Sequence, residues 1–236
     1  MRGKLQRFEE NFKSDIVFEP GKEGYEELNG TWKQEIFGNT NELVIELGCG
    51  KGEYTIGLAN EFPNRNFIGI DIKGDRIWVG RKQAVEKQLS NVRFLRTEIA
   101  FLLKFFDESE VDEIWLTFPD PRPKKRDAKR RLSHPNFLAY YQRILKEDGW
   151  FKFKTDNTPL FEYTLDLLKE EWPVLNLEYT FDLYNSELNT EHFGIKTKYE
   201  QLFHAKGEKI KYLKFQFDYE KTGNALGDIP SFVSRV

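Results

Sequence analysis

The short apolar run Leu43-Val44-Ile45-Glu46-Leu47 passes without a spacer into Gly48-Cys49-Gly50-Lys51-Gly52, and a helical pattern begins at about Glu53. Such a run suits a strand buried on both faces. Glycines at alternate positions let the backbone turn sharply and approach a ligand with no Cβ atom in the way. A strand, a tight glycine turn and a helix open a βαβ unit, and a ligand of such a sheet sits outside the carboxyl ends of its strands.

The same alternation continues along the chain. Strands are expected at Asn66–Asp71, Val92–Arg96, Val111–Phe118 and Trp150–Lys154. Helices are expected at Glu53–Phe62, Asp75–Leu89 (with Ile77, Trp78, Ala84 and Val85 inward), Ala100–Phe106, His134–Lys146 and Pro159–Glu171. Val174–Leu183 and Ile210–Tyr219 read as two closing strands, the latter alternating Leu213, Phe215 and Phe217 with Tyr212, Lys214 and Gln216. The expectation is a Rossmann-like, doubly wound α/β sheet of seven mostly parallel strands with helices on both faces. Residues 31–220 form this domain, residues 1–30 an N-terminal extension and residues 221–236 a C-terminal tail.

A chain of 236 residues is of a size for one such core, and its 21 Phe and 10 Tyr supply the large apolar side chains. No apolar stretch is long enough to span a membrane and the N-terminus lacks an apolar signal core, so a soluble, cytoplasmic protein is expected. The single cysteine, Cys49, and the scattered His134, His192 and His204 match no metal-ligand spacing, and no metal is expected. A net charge of −3 argues against a nucleic-acid partner only on average. Between Arg122 and Arg131, seven cations stand against the one acid Asp127, a local charge of +6.

The chemistry of the turn narrows its ligand. Dinucleotide sites favour G-x-G-x-x-G, and here the third glycine comes one residue early. Glu46 would repel a pyrophosphate but suits a cofactor carrying an ammonium and a sulfonium. Asp71, closing the next strand, stands where a carboxylate accepts ribose hydroxyls. With its leading acid, the turn resembles the first motif of class I S-adenosylmethionine methyltransferases, and that resemblance places Glu46, Gly48, Gly50, Asp71 and Glu98 along the cofactor. Cys49 is a small residue that fits the turn, with nothing nearby in sequence to activate it.

The strand ending at Phe118 runs into Pro119-Asp120-Pro121-Arg122-Pro123, whose prolines pre-set the backbone and hold one carboxylate in a fixed place. The cations that follow suit a polyanion. Phe118-Pro119-Asp120-Pro121, Pro123-Lys124-Lys125-Arg126, Lys129-Arg130-Arg131-Leu132, Lys154-Thr155-Asp156-Asn157 and Thr197-Lys198-Tyr199-Glu200 together resemble the bacterial tRNA (guanine-N7-)-methyltransferase family over residues 40 to 220. The resemblance implies transfer of a methyl group from S-adenosylmethionine to N7 of a guanosine in the variable loop of tRNA. It places Asp120 along the cofactor, and the fixed carboxylate is expected to be the catalytic residue, orienting the guanine through its N1 and N2 donors. Lys124, Asp156, Thr197, Lys198, Tyr199 and Glu200 would meet the substrate base, and Arg126, Asp127, Ala128, Lys129, Arg130 and Arg131 the RNA.

The chain departs from the family pattern at Arg122, where tryptophan usually stands, and at Asp127, where histidine is common. Asp120-Pro121 also loosely matches the motif of exocyclic-amine methyltransferases, though no aromatic follows, and a non-catalytic RNA-binding protein on the same fold is the third alternative. Asp156-Asn157 and Thr197-x-x-Glu200 are at the same time ordinary helix-capping signals. Arg2, Lys4, Arg7 and Lys13 make the N-terminal extension a candidate RNA-contacting arm, and a monomer or a homodimer is expected.

Overall fold

A computed structural model describes residues 3–222. In chain order the elements are α1 (Lys4–Phe12), β1 (Val17–Phe18), β2 (Leu43–Leu47), α2 (Glu53–Glu61), β3 (Asn66–Asp71), α3 (Gly74–Glu86) and β4 (Val92–Arg96). Then come β5 (Val111–Thr117), α4 (Pro135–Ile144), β6 (Leu145–Thr155), α5 (Thr158–Glu170), β7 (Val174–Thr180), α6 (Lys198–His204), β8 (Lys211–Phe217) and α7 (Tyr219–Thr222). Tight 3-10 turns at Ile99–Lys104 and Lys125–Arg130 follow β4 and β5. Among the described residues no helix is long and apolar enough to cross a membrane. Arg2 and residues 223–236 of the expected C-terminal tail lie outside the described residues.

The strands form one sheet in the order β1-β4-β3-β2-β5-β6-β8-β7. β1 to β6 pair in parallel, and β8 runs antiparallel between β6 and β7. After β2 the chain builds outward through β3 and β4, then returns to place β5 on the other side of β2. The order therefore reverses at β2, and the crevice opens above its carboxyl end, at the glycine turn.

Period-two alternation sends each strand's side chains into two separate cores. Ile45, Leu47, Ile68, Ile70, Ile114, Leu116, Phe151 and Phe153 pack on one face, and Val44, Phe67, Phe94 and Trp115 on the other. Each such side chain contributes about 1.5–3 kcal/mol by leaving water, enough to hold the parallel strands as a rigid platform.

Eight strands replace the expected seven. The additional β1 adds two residues to the β4 edge, too few to show any alternation in sequence. Residues 3–30 are also less detached than an extension. Asn11 donates to the Gly74 carbonyl at 2.7 Å, Glu10 accepts from the Trp78 indole at 2.8 Å, and the Arg7 guanidinium lies 4.9 Å from the Trp78 ring. This docking corrects the inward set expected on the helix after β3. Ile77 and Ala84 are buried against the sheet, but Trp78 turns toward α1 and Val85 is 56% exposed, one position round the helix from Ala84.

Candidate active site

Gly48, Gly50 and Gly52 all adopt left-handed φ, at +69°, +56° and +70°, which only glycine does without strain. A Cβ on Gly48 or Gly50 would meet nothing within 4 Å, so these two face open space, whereas one on Gly52 would press to 2.9 Å from Phe94. The turn is tied to β3 twice. Cys49 N–H donates to the Ile70 carbonyl and Gly50 N–H to the Asp71 carboxylate, each at 2.9 Å. The other Asp71 oxygen accepts from Lys73 N–H at 2.8 Å. Asp71 thus holds the glycine turn and the start of α3 together at the lip of the crevice.

Glu46 lies beneath the turn and is only 3% exposed. One oxygen accepts from Thr55 N–H at 2.8 Å and from the Thr55 hydroxyl, and the other from the Thr117 hydroxyl at 2.7 Å. Burial pushes its carboxyl up to about 7, against the pull of these hydrogen bonds. Glu46 therefore bridges the first residues of α2 to the last residue of β5. Burial also pushes the Cys49 thiol up, so it has no character of a nucleophile.

Beside the carboxyl ends of β3 and β4 lies a cavity of about 490 Å³ lined by Ile72, Thr97, Glu98, Phe101 and Phe105 among others. Its wall is mostly apolar, with the exposed Glu98 on its rim as the residue that precedes the Ile99–Lys104 turn. Glu26, Arg96 and Lys104 also line it, so the slot can take a flat heteroaromatic ring between apolar walls and offers carboxylate acceptors, Glu98 among them, to an exocyclic amine. Open backbone at Gly48 and Gly50, the Asp71 carboxylate and this slot together fit a nucleoside cofactor.

Across the switch point, Phe118 and Arg122 both stand in the left-handed region, at φ 47° and 45°, and bracket Pro119-Asp120-Pro121. Non-glycine residues are held there only where surrounding contacts over-determine the backbone, and such strain concentrates at functional sites. Here the contacts are Phe118 N–H to the Lys154 carbonyl at 2.8 Å, and the Arg131 guanidinium to the Arg122 carbonyl at 3.3 Å. Asp120 is exposed, with Arg122 N–H and Nε each 3.2 Å from its carboxylate. The residue that departs from the family pattern is thus the partner of the acid.

The remaining motifs converge on Phe118. Its ring lies 5.5 Å from that of Tyr199, which packs on Phe203 at 4.3 Å, and Tyr199 donates its hydroxyl to Asp156 at 3.1 Å. Burial and that carboxylate push the Tyr199 phenol up to about 12. The capping signals are real as well. Asn157 accepts from Leu160 N–H, and Thr197 and Glu200 form a reciprocal capping box on α6. Lys198 N–H reaches Glu53 at the start of α2, at 3.2 Å.

One feature has no signal in the sequence. Lys154 and Glu200 are both 0% exposed and meet at 2.6 Å, with the Tyr184 hydroxyl also donating to Glu200. Neither motif alone announces the other, because β6 and α6 become neighbours only through the fold.

Lys124 precedes the Lys125–Arg130 turn, on which Lys125, Arg126, Lys129 and Arg130 are exposed while Asp127 and Ala128 are half-buried. Asp127 pairs loosely with Arg130, at 3.6 Å. Arg131 is different, for its guanidinium stacks 4.4 Å from the Tyr163 ring and serves the Arg122 carbonyl. The turn offers a cationic edge beside the Asp120 loop.

Sheet order, glycine turn and acidic proline loop define a class I methyltransferase. An antibiotic-related methyltransferase of known structure superposes with a TM-score of 0.56 over 77% of this chain and 90% of its own, at 21% identity. The family model described as "Putative methyltransferase" matches residues 40–213. The tRNA (guanine-N(7)-)-methyltransferase of Cytophaga hutchinsonii is 45% identical over 92% of this chain and 98% of its own. That of Christiangramia forsetii is 44% identical over 91% and 98%. The chain belongs to the tRNA (guanine-N(7)-)-methyltransferase family.

Proposed function

We propose that this protein transfers the methyl group of S-adenosylmethionine to N7 of a guanosine in the variable loop of tRNA, acting in the cytoplasm. The observation that carries the reading is an exposed Asp120 on the loop that leaves β5 beside the glycine turn, held between the strained Phe118 and Arg122 and flanked by the Phe118–Tyr199 pair and by a cationic edge. Gly48, Gly50, Asp71 and Glu98 would hold the cofactor, with Glu46 fixing the turn from below. The cofactor supplies an electrophilic methyl group.

Guanine N7 carries an exposed lone pair and loses no proton before it attacks, so no general base is required. The protein's work is alignment and charge stabilisation. Asp120 accepts from the guanine N1 and N2 donors and offsets the positive charge that moves onto the purine. Before the base arrives, its carboxylate rests on Arg122 N–H and Nε, each at 3.2 Å. Tyr199 and Phe118 offer ring faces to the base, Lys124, Asp156, Thr197 and Lys198 line the acceptor side, and Arg126, Lys129 and Arg130 meet phosphates.

Methyl transfer to unmodified tRNA, with the product mapped by the selective strand cleavage of N7-methylguanosine, tests this reading. A single cleavage site in the variable loop is expected. A methyl group on an exocyclic amine, or binding without transfer, overturns it.

A further inference from the structure

We infer that Glu200 does not touch the substrate but acts through Lys154 as a positioning residue, the two forming a buried latch that seats α6 against the Asp120 loop. The inference rests on the tRNA reading above.

Geometry leaves Glu200 no face for a ligand. It is wholly buried, and its oxygens are taken by the Lys154 ammonium, the Tyr184 hydroxyl and the Thr197 N–H. Lys154 is equally sealed, and its ammonium meets four elements of the site at once. It pairs with Glu200 of α6 at 2.6 Å, faces the Tyr54 ring of α2 at 5.1 Å and the Phe118 ring of the acidic loop at 5.9 Å, and donates to the Ile195 carbonyl at 3.4 Å. Burial draws its proton affinity down, with Glu200 opposing that shift.

A well-packed apolar pair usually stabilises such a spot as well as or better than two buried charges, so an ion pair here is poorly explained by stability. It does supply a directional contact. In a water-free environment, separating the partners costs far more than it would in water, so the pair holds β6 and α6 at a defined distance. That distance sets where Tyr199 stands relative to Phe118 and Asp156, the contacts that shape the surface beside the Asp120 loop.

A double-mutant cycle separates a latch from a direct contact. Lys154→Met and Glu200→Gln each strand one buried charge, and the uncharged double variant strands none. The carboxamide introduced by Glu200→Gln can still accept from Thr197 N–H and complete the capping box. For a latch, each single variant raises KM for tRNA at least about tenfold with S-adenosylmethionine binding unchanged, and the double variant returns to within about threefold of wild type. Amide hydrogen exchange should quicken over residues 197–204 in the single variants and recover in the double. Losses that add, with the double variant worse than either single, would assign Glu200 to the substrate and overturn the latch. Absence of N7-methylguanosine from tRNA treated with the wild-type protein would instead defeat the functional reading, and the exchange pattern would still decide whether the latch exists.

Discussion

At the scale of single residues, the two acids that flank the crevice do different work because their surroundings differ. Asp120 stands in solvent on a strained loop, available to a ligand, and Asp120→Ala is expected to lower kcat by about 100-fold or more while leaving the Kd values for tRNA and S-adenosylmethionine nearly unchanged. Single-turnover kinetics with equilibrium binding checks this, and an unchanged rate would remove Asp120 from the chemistry. Glu46 is buried and its carboxyl sits at about 7 against an ordinary 4.5. Between those values the folded protein keeps a proton that the unfolded chain has released, so stability falls as pH rises through the window and the penalty is complete above it. Glu46→Gln removes the titration and can keep both threonine contacts. Relative to wild type it should gain up to about 3 kcal/mol on going from pH 4.5 to pH 8, read by denaturant unfolding of the ligand-free protein. A parallel pH profile for the two proteins would show that folding leaves the Glu46 proton affinity unchanged.

At the scale of elements, the Lys125–Arg130 turn keeps its cations in water while Arg131 anchors it to Tyr163 and the Asp120 loop. Exposed cations contribute to binding by releasing counterions from phosphates, a term that salt suppresses. Replacing Arg126, Lys129 and Arg130 together by alanine should weaken tRNA binding and reduce the slope of log K against log salt by roughly two to three. Filter binding across a salt series measures it, and a slope equal to that of wild type would take the turn out of the RNA interface. Arg131 is left out because its loss would also free the loop, mixing affinity with positioning. The capping boundaries of α5 and α6 are readable from Asn157 and Thr197, since a cap is made between neighbours in sequence.

At the scale of the whole molecule, the cofactor region draws residues from β2, β3, β4 and the turns after them, so a ligand there is coupled to the folding of the entire sheet. S-adenosylmethionine at a hundred times its Kd should stabilise the protein by about 2.7 kcal/mol, an effect that Asp71→Ala should remove at the same concentration. Thermal unfolding with and without the ligand tests this, and an equal shift in both proteins would place the ligand elsewhere. The alternation of strands and helices, the glycine turn, the acidic proline loop and the family are all legible from residues near one another in the chain, because backbone period, turn chemistry and caps are local. What is not legible depends on partners brought from afar. Two residues of β1 carry no period, Trp78 turns outward because α1 docks beside it, and Glu46 reaches Thr117, 71 residues away, from beneath a turn whose own chemistry points only to a cofactor. The sequence alone determined the class of sheet, the acidic loop and the kind of acceptor. Only the tertiary structure decided which charged residues stand open to a ligand and which, like Lys154 and Glu200, are buried against each other, since burial is a property of the assembled layers.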